Sequence, residues 1–355
     1  MIKDRLTKRL ENISGKEAAA LFAKIAKMDE FKGWWKGAAA LSPQILNRLK
    51  QSVVVTSSGA STRIEGSRLS DKEVERLLRG LKMSKLKDRD SQEVASYAEL
   101  LRIVFESYRS MKFNEGLILQ FHSLVLKYSE KDQRHRGKYK DKPNKVLAHG
   151  KGRQSVVFEP TPPHLTPLET RELVDWTQEQ LINSSFHPLL IIANFVLEFL
   201  AIHPFEDGNG RLSRILTNLL LLRSGYAYVP YASLDKITED RKTEYYVALR
   251  RSQKEIRSPK ANIAPWLHFF LDILLIQIEI LQEFLKERPV EKMLSENQLN
   301  ALKLFERYEE ISAKTVARDL KIPHPTARQI LERLLTLKLI ERVGLGRATR
   351  YRKIN

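Results

Sequence analysis

The sequence predicts a mainly α-helical protein, interrupted once by a β-hairpin and closed by a small helix–helix–helix–hairpin module. Three observations carry that expectation. Apolar residues recur at helical spacing in EVASYAELLRIVFESY, NEGLILQFHSLVLKYSE and HPLLIIANFVLEFLAI, and the last of these reads as a buried helix. VLAHGKGRQSVVFEPTPP breaks the period: two short apolar-rich runs, 145–148 and 155–159, flank His149-Gly150-Lys151-Gly152, which is a hairpin pattern. Beyond Arg288-Pro289, SENQLNALKLFER, SAKTVARDL and PTARQILERLLTLKLI read as amphipathic helices, and RVGLGRATRYRKI as two strands around a glycine turn. A length of 355 residues suits about two or three domains. The divisions expected are a helical N-terminal region over 1–85, a core over 86–290 and the C-terminal module over 291–355.

Taken in order, residues 1–85 follow the helical pattern, with Trp34 and Trp35 as packing anchors. Ser70 with Glu73 three residues on makes a capping box, in which hydroxyl and carboxylate each satisfy a backbone N–H, so a helix starts there. LKMSKLKDRD, 81–90, is a charged connector. His122 falls on the apolar face of its helix and reads as a packed, hydrogen-bonded core residue. LDKITEDRKTEYYVALRRSQ and the helix around Trp266 close the core. The longest apolar stretch, IAPWLHFFLDILLIQIEILQEFL, is broken by His268, Asp272, Gln277 and Glu279, which marks a core helix rather than a membrane span.

Composition narrows the chemistry. There is no cysteine, which excludes disulfides, thiolate metal sites and thiol catalysis. The opening MIKDRLTKRLEN has no apolar h-region, so a cytoplasmic protein without a signal peptide is expected. A net charge of +18 suits nucleic acid, anionic surfaces or phosphate-bearing ligands without choosing among them.

The stretch His203 to Arg214, HPFEDGNGRLSR, concentrates the chemistry. Asp207-Gly208-Asn209-Gly210 is turn chemistry running into RLSRILTNLLLLRSG, a helix stopped by Gly225. Backbone N–H groups at that helix start attract anions. Arg211 and Arg214, three apart, can project from one side of the first turn, and guanidinium forks suit phosphate oxygens. Asp207 offers a hard oxygen to magnesium, and His203 is the one group here able to take a proton near neutral pH.

This stretch resembles the Fic (filamentation induced by cAMP) signature HxFx(D/E)GNGRxxR at every fixed position. The resemblance implies a Fic helical-bundle core that transfers a nucleotide monophosphate, usually AMP from ATP, to a hydroxyl side chain of a target protein. His203 would be the general base, Phe205 would hold the loop in the core, and Asp207 would bind Mg²⁺ or Mn²⁺. Gly208, Asn209 and Gly210 would cradle the anion, and Arg211 and Arg214 would hold the outer phosphates. Ser61-Thr62-Arg63-Ile64-Glu65-Gly66 matches (S/T)xxxE(G/N), the family's inhibitory helix, in which Glu65 would pair with Arg214. Such a carboxylate competes with the γ-phosphate for the fork. The hairpin resembles the family's flap, a docking edge for the target. Tyr246 and Gln253, two helical turns apart, are nominated as adenine contacts.

The C-terminal module resembles a winged helix-turn-helix. Thr326, Arg328 and Gln329 would reach base edges, and Arg347, Arg350, Arg352 and Lys353 would meet phosphates if it binds DNA. No membrane partner is expected, and a homodimer is a family expectation. The alternatives are a DNA-binding transcriptional regulator with a nucleotide-sensing core, a de-AMPylase in which Glu65 orients water, and a transferase using another nucleotide donor.

Overall fold

The computed structural model describes residues 2–37, 43–80, 86, 88–144, 146–150, 153–183, 186–258, 260–286, 294–337, 339–344 and 349–354. The chain divides into two compact units, 1–30 with 50–279, and 31–49 with 280–355. The fold is mainly helical and matches the expected class.

The first unit is built around α8, Pro188–Ile202, in which every residue from Leu189 to Ile202 is buried. A helix buried all round has no solvent face, so neighbours must cover it on every side. It is followed by α9, Asn209–Arg223, buried from Arg211 to Leu222. The remaining helices that enter this unit are α1 Ile2–Glu11, α2 Gly15–Gly37, α3 Pro43–Ile64, α4 Asp71–Arg79, α5 Arg89–Ser107, α6 Glu115–Val125, α7 Thr166–Asn183, α10 Leu234–Asp240, α11 Lys242–Gln253 and α12 Ala264–Lys286. α7 and α9 pack on α8, and α5 packs on α9.

The caps follow local chemistry. Ser70 and Glu73 form the predicted capping box at α4. Asp88 caps α5, starting it slightly before the expected Gln92, and Asn114 caps α6. LDKITEDRKTEYYVALRRSQ is two helices, α10 and α11, separated at Arg241 (φ −109°, ψ 29°). By length and composition α12 could cross a membrane, but most of its apolar window is buried in the fold. Its Trp266 indole donates to the Ala193 carbonyl at 2.8 Å, and buried Gln277 donates to the carbonyls of Val229 (3.2 Å) and Ala232 (2.6 Å).

Polar groups inside α8 fix where α1 lies. Asn194 donates to the Leu6 carbonyl at 2.9 Å. Glu198 accepts from Arg5 at 2.7 Å and from Arg9 at 2.5 Å. Arg9 and Glu198 are both buried, and burial pulls the Arg9 pKa down while Glu198 opposes it. A buried charge persists only when paired, so this contact locks the N-terminal helix to the back of the central one.

The hairpin pairs β1, Val146–Gly150, with β2, Arg153–Phe158, antiparallel. The turn is tighter than the sequence suggests. His149 and Gly150 lie in the ladder opposite Gln154 and Arg153, because extended pairing satisfies backbone groups that a four-residue turn leaves open. Lys145 and the tip Lys151-Gly152 lie outside the described residues, as does most of the expected connector.

In the second unit α13 Glu296–Lys303, α14 Ala313–Asp319 and α15 His324–Thr336 surround a core of Ala301, Val316, Ala327, Leu331 and Leu334. The sequence predicts two strands here, and the described residues form three: β3 Glu310–Ile311, β4 Ile340–Val343 and β5 Arg350–Lys353, in the order β3-β5-β4. Arg288-Pro289 and Arg347 lie outside the described residues.

Glu198→Gln should lower unfolding free energy by about 3–5 kcal/mol, because it strands a buried guanidinium. A urea midpoint unchanged from wild type would refute the locking role of this pair.

Candidate functional site

α8 ends at His203, which adopts the left-handed conformation (φ 50°, ψ 62°) and donates its N–H to the Phe199 carbonyl at 2.9 Å. This is uncommon for a residue with a side chain and turns the chain sharply out of the helix. The exit is braced by Lys140. Its ammonium donates to the carbonyls of Ile202 (3.0 Å) and His203 (2.9 Å), which the helix end leaves without intrahelical partners. Its N–H donates to the Pro204 carbonyl at 3.0 Å, and Asn144 donates to the Phe205 carbonyl at 3.0 Å.

His203 Nδ1 lies 3.3 Å from the Leu200 carbonyl. A carbonyl only accepts, so Nδ1 carries the proton and Nε2 keeps its lone pair. Desolvation pulls the imidazole pKa down to about 4, against the Leu200 carbonyl and with help from the Lys140 ammonium. His203 is therefore a neutral base at pH 7.

The loop closes on itself. The Asn209 side chain accepts from the Phe205 N–H (3.0 Å) and donates to the Phe205 carbonyl (2.7 Å). Both ends of its side-chain amide are thus engaged within the loop. Phe205 is buried, as the resemblance implied, and stacks on His122 at 3.7 Å. Gly208 caps α9 at φ 82°, a conformation that favours glycine.

Asp207 accepts from the Gly208 N–H at Oδ1 (2.6 Å), and from Arg211 (2.9 Å) and Arg89 (3.0 Å) at Oδ2. Burial works against its ionisation, but Arg211, the Gly208 N–H and Arg89 outweigh it and hold the carboxyl below its usual range. Arg211 is 1% exposed, with its other edge 3.2 Å from Glu93. The two motif arginines therefore face different partners. Arg211 is engaged within the loop, and Arg214 points at α3.

Arg214 Nε donates to Ser61 Oγ at 2.7 Å, and Nη2 donates to the Ser61 carbonyl (2.9 Å) and to Glu65 Oε1 (2.8 Å). Below it lies Asp235, 3.5 Å from Nε and receiving the Tyr97 hydroxyl at 2.8 Å. Burial disfavours the Arg214 charge, but Glu65 and Asp235 outweigh it and its pKa is raised. The Glu65 carboxylate also lies directly on Gly210: a Cβ there would sit 2.0 Å from Glu65 Oε1. A carboxylate thus rests on the N-terminus of α9, the position that suits an anion.

The end of α3 is itself held. Arg63 forms a two-pronged pair with Glu239 (2.5 and 3.0 Å) and reaches Asp71 at 2.8 Å. Lys242 donates to the Arg63 carbonyl at 3.1 Å, and Tyr246 to the Ile64 carbonyl at 3.4 Å. Gly66 ends the segment at φ 112°. Tyr246 therefore touches the segment that carries Glu65, and Gln253 is buried at the end of the same helix.

Among the described residues no group of three or more His, Cys, Asp or Glu could hold a metal ion by itself. Asp207 fits a shared site instead. Three of its roughly four lone-pair positions are engaged, and one on Oδ1 remains for a hard cation whose other ligands are water and phosphate. Arg89, Glu93, Asp235 and Lys140 escaped the sequence reading. Each acts on a motif residue from far along the chain, and no local pattern marks such a pair.

Residues 112–221 match the model of the Fic/DOC family. A protein adenylyltransferase Fic of Drosophila willistoni is 34% identical over 139 residues, 36% of this chain and 25% of that protein. A probable protein adenylyltransferase of Aquifex aeolicus is 33% identical over 97 residues, 27% of each chain. This chain thus spans about a quarter of the length of these curated relatives. A crystal structure of a Fic family protein from Desulfovibrio desulfuricans G20 shares the fold, with a TM-score of 0.61 and 24% identity, covering 95% of this chain and 96% of the other.

Burial holds His122, like His203, near a pKa of about 4, against about 6.5 when unfolded. Between those values the unfolded chain binds more protons, so stability falls as pH is lowered through the window. The slope is up to roughly 1.4 kcal/mol per pH unit for each histidine. Urea unfolding at pH 7, 6 and 5 checks this: His122→Gln should flatten the dependence, and an unaltered slope would count against a neutral buried imidazole.

Proposed function

We propose that the core is a protein adenylyltransferase held off by its own Glu65, transferring AMP from ATP to a Ser, Thr or Tyr hydroxyl of a target protein. The observation that carries this reading is the Glu65 carboxylate in the Arg214 fork and over Gly210, where a phosphate would otherwise lie. The relatives named as adenylyltransferases support the reaction class.

In this mechanism His203 Nε2 takes the proton of the target hydroxyl. The hydroxyl oxygen attacks the α-phosphorus, the bond to the bridging oxygen of the β-phosphate breaks, and pyrophosphate leaves with that electron pair. Arg214 and the first N–H groups of α9 hold the phosphates, so catalysis is mainly positioning and charge neutralisation. Arg211 acts by fixing the Asp207 carboxylate. Asp207 would hold Mg²⁺ or Mn²⁺, which would neutralise charge on the leaving pyrophosphate. The strand β2 side of the hairpin is the proposed docking edge for the target. Tyr246 and Gln253 are proposed to line the adenine site, which makes nucleotide binding and the end of α3 neighbours on one helix.

The C-terminal module is proposed to be a winged helix that meets DNA. The sheet order β3-β5-β4 and the exposed Arg328 and Gln329 on α15 favour it. Arg352 is paired with Glu341 at 2.6 Å, which leaves Arg350 and Lys353 as the more open phosphate contacts among the described residues.

Wild type and Glu65→Gly, incubated with magnesium and ATP labelled at the α-phosphate, test the core. Label should move onto protein in the variant and little in wild type. Adding His203→Ala should cut transfer by about 10²–10⁴ while ATP still binds. Equal labelling of wild type would remove Glu65 as the brake. Silence from Glu65→Gly with ATP bound would favour a nucleotide-sensing regulator or another donor.

A further inference from the structure

The proposed mechanism leaves one buried, hydrogen-bonded imidazole at the loop without a role. His122, on α6, is 0% exposed and lies beneath the segment from Phe205 to Gly208. The Gly137 N–H donates to its Nδ1 at 3.0 Å. That nitrogen is therefore the acceptor, and Nε2 carries the proton that it donates to the Asp207 carbonyl at 3.0 Å. The ring also stacks face to face on Phe205, with centroids 3.7 Å apart and planes 9° apart. Three contacts from one side chain thus fix three separate points. These are the backbone of Asp207, the ring of Phe205 and the chain at Gly137, which leads to the Lys140 brace.

We propose that His122 is a positioning residue for the transfer reaction, setting the Asp207 carboxylate and the entry to α9 through its hydrogen bond to the Asp207 carbonyl. This rests on the adenylyltransferase reading above. The Asp207–Gly208 peptide has few restraints of its own. Asp207 and Gly208 sit between a left-handed residue and a helix start, with the Gly208 N–H already taken by the Asp207 side chain. The Asp207 carbonyl is the remaining handle on the orientation of that peptide. Without a donor below it, the Asp207–Gly208 peptide can rotate, and the carboxylate and the first N–H groups of α9 move together. A displacement of about 1 Å at reacting groups costs up to about 10²-fold in rate. The packing role and the hydrogen-bonding role are separable. Phenylalanine keeps the stack and loses both hydrogen bonds. Glutamine loses the stack, but its amide carries one acceptor for the Gly137 N–H and one donor for the Asp207 carbonyl.

The test places His122→Phe and His122→Gln in the Glu65→Gly background. Two readouts are taken: the single-turnover rate of label transfer from ATP, which does not depend on the folded fraction, and amide hydrogen exchange of the segment 204–211. His122→Phe should slow transfer by about 10–100-fold and raise exchange in that segment while the rest of α8 and α9 stays protected. His122→Gln should return both towards the parent. Equal rates and exchange in parent and His122→Phe would overturn the proposal, and so would a glutamine variant as impaired as phenylalanine. If the Glu65→Gly parent itself transfers nothing, the reaction assigned above is at fault, and the exchange data alone decide whether His122 sets the loop.

Discussion

A single guanidinium, that of Arg214, ties the site to the rest of the molecule. It is 8% exposed and compensated from two directions. Asp235 and its Tyr97 donor lie below, and Ser61 and Glu65 lie beside it. A buried charge tolerates no loss without a replacement of the same sign of interaction. A phosphate fits the geometry of a guanidinium fork as well as a carboxylate does, and the two compete for one edge. Asp235 remains under either occupant, so the guanidinium stays charged and oriented while its outer partner changes.

That arrangement constrains the helices around it. Glu65 reaches Arg214 because α3 ends at Ile64 and Gly66 turns the chain away. The end of α3 stays in place because Arg63 is forked by Glu239 and because Lys242 and Tyr246 take the carbonyls of Arg63 and Ile64. On the other side, α9 begins where it does because Asn209 closes the loop onto Phe205 and because His122 and Lys140 fix the loop from beneath. The loop is rigid because its polar backbone groups are taken by the buried side chains of Asn209, His122 and Lys140. The contacts that hold Glu65 are more exposed, since Arg63 and Glu65 both retain solvent access. A rigid loop facing a more accessible latch is the physical pattern expected where one partner must leave and the other must stay.

Much of this was legible in the sequence where the signal was local. The motif from His203 to Arg214 has to make a turn, start a helix and present charge within a few residues, and each demand leaves its own residue type. The pairing of Glu65 with Arg214 is legible through the resemblance alone, and the bonds from Arg214 to Ser61 appear only in the structure. Spacing places Arg211 and Arg214 on one side of the first turn, and it does not reveal that Asp207 and Glu93 stand against Arg211. Spacing fixes the face of a helix and says nothing of what stands opposite.

The helical class, the position of the hairpin, the capping of α4 and the turn that leads into α9 are legible in the sequence, because these depend on residues within a turn or two of each other. Tertiary structure alone decided that α1 is locked to α8 through Arg9 and Glu198, 189 positions apart. It also decided that Glu239 grips Arg63 across 176 positions, and that Asp235 lies under Arg214. The reason is common to all three. Charges enter a core only in pairs, and either partner of a pair that joins two different helices looks, in the sequence, like any other charge on a helix.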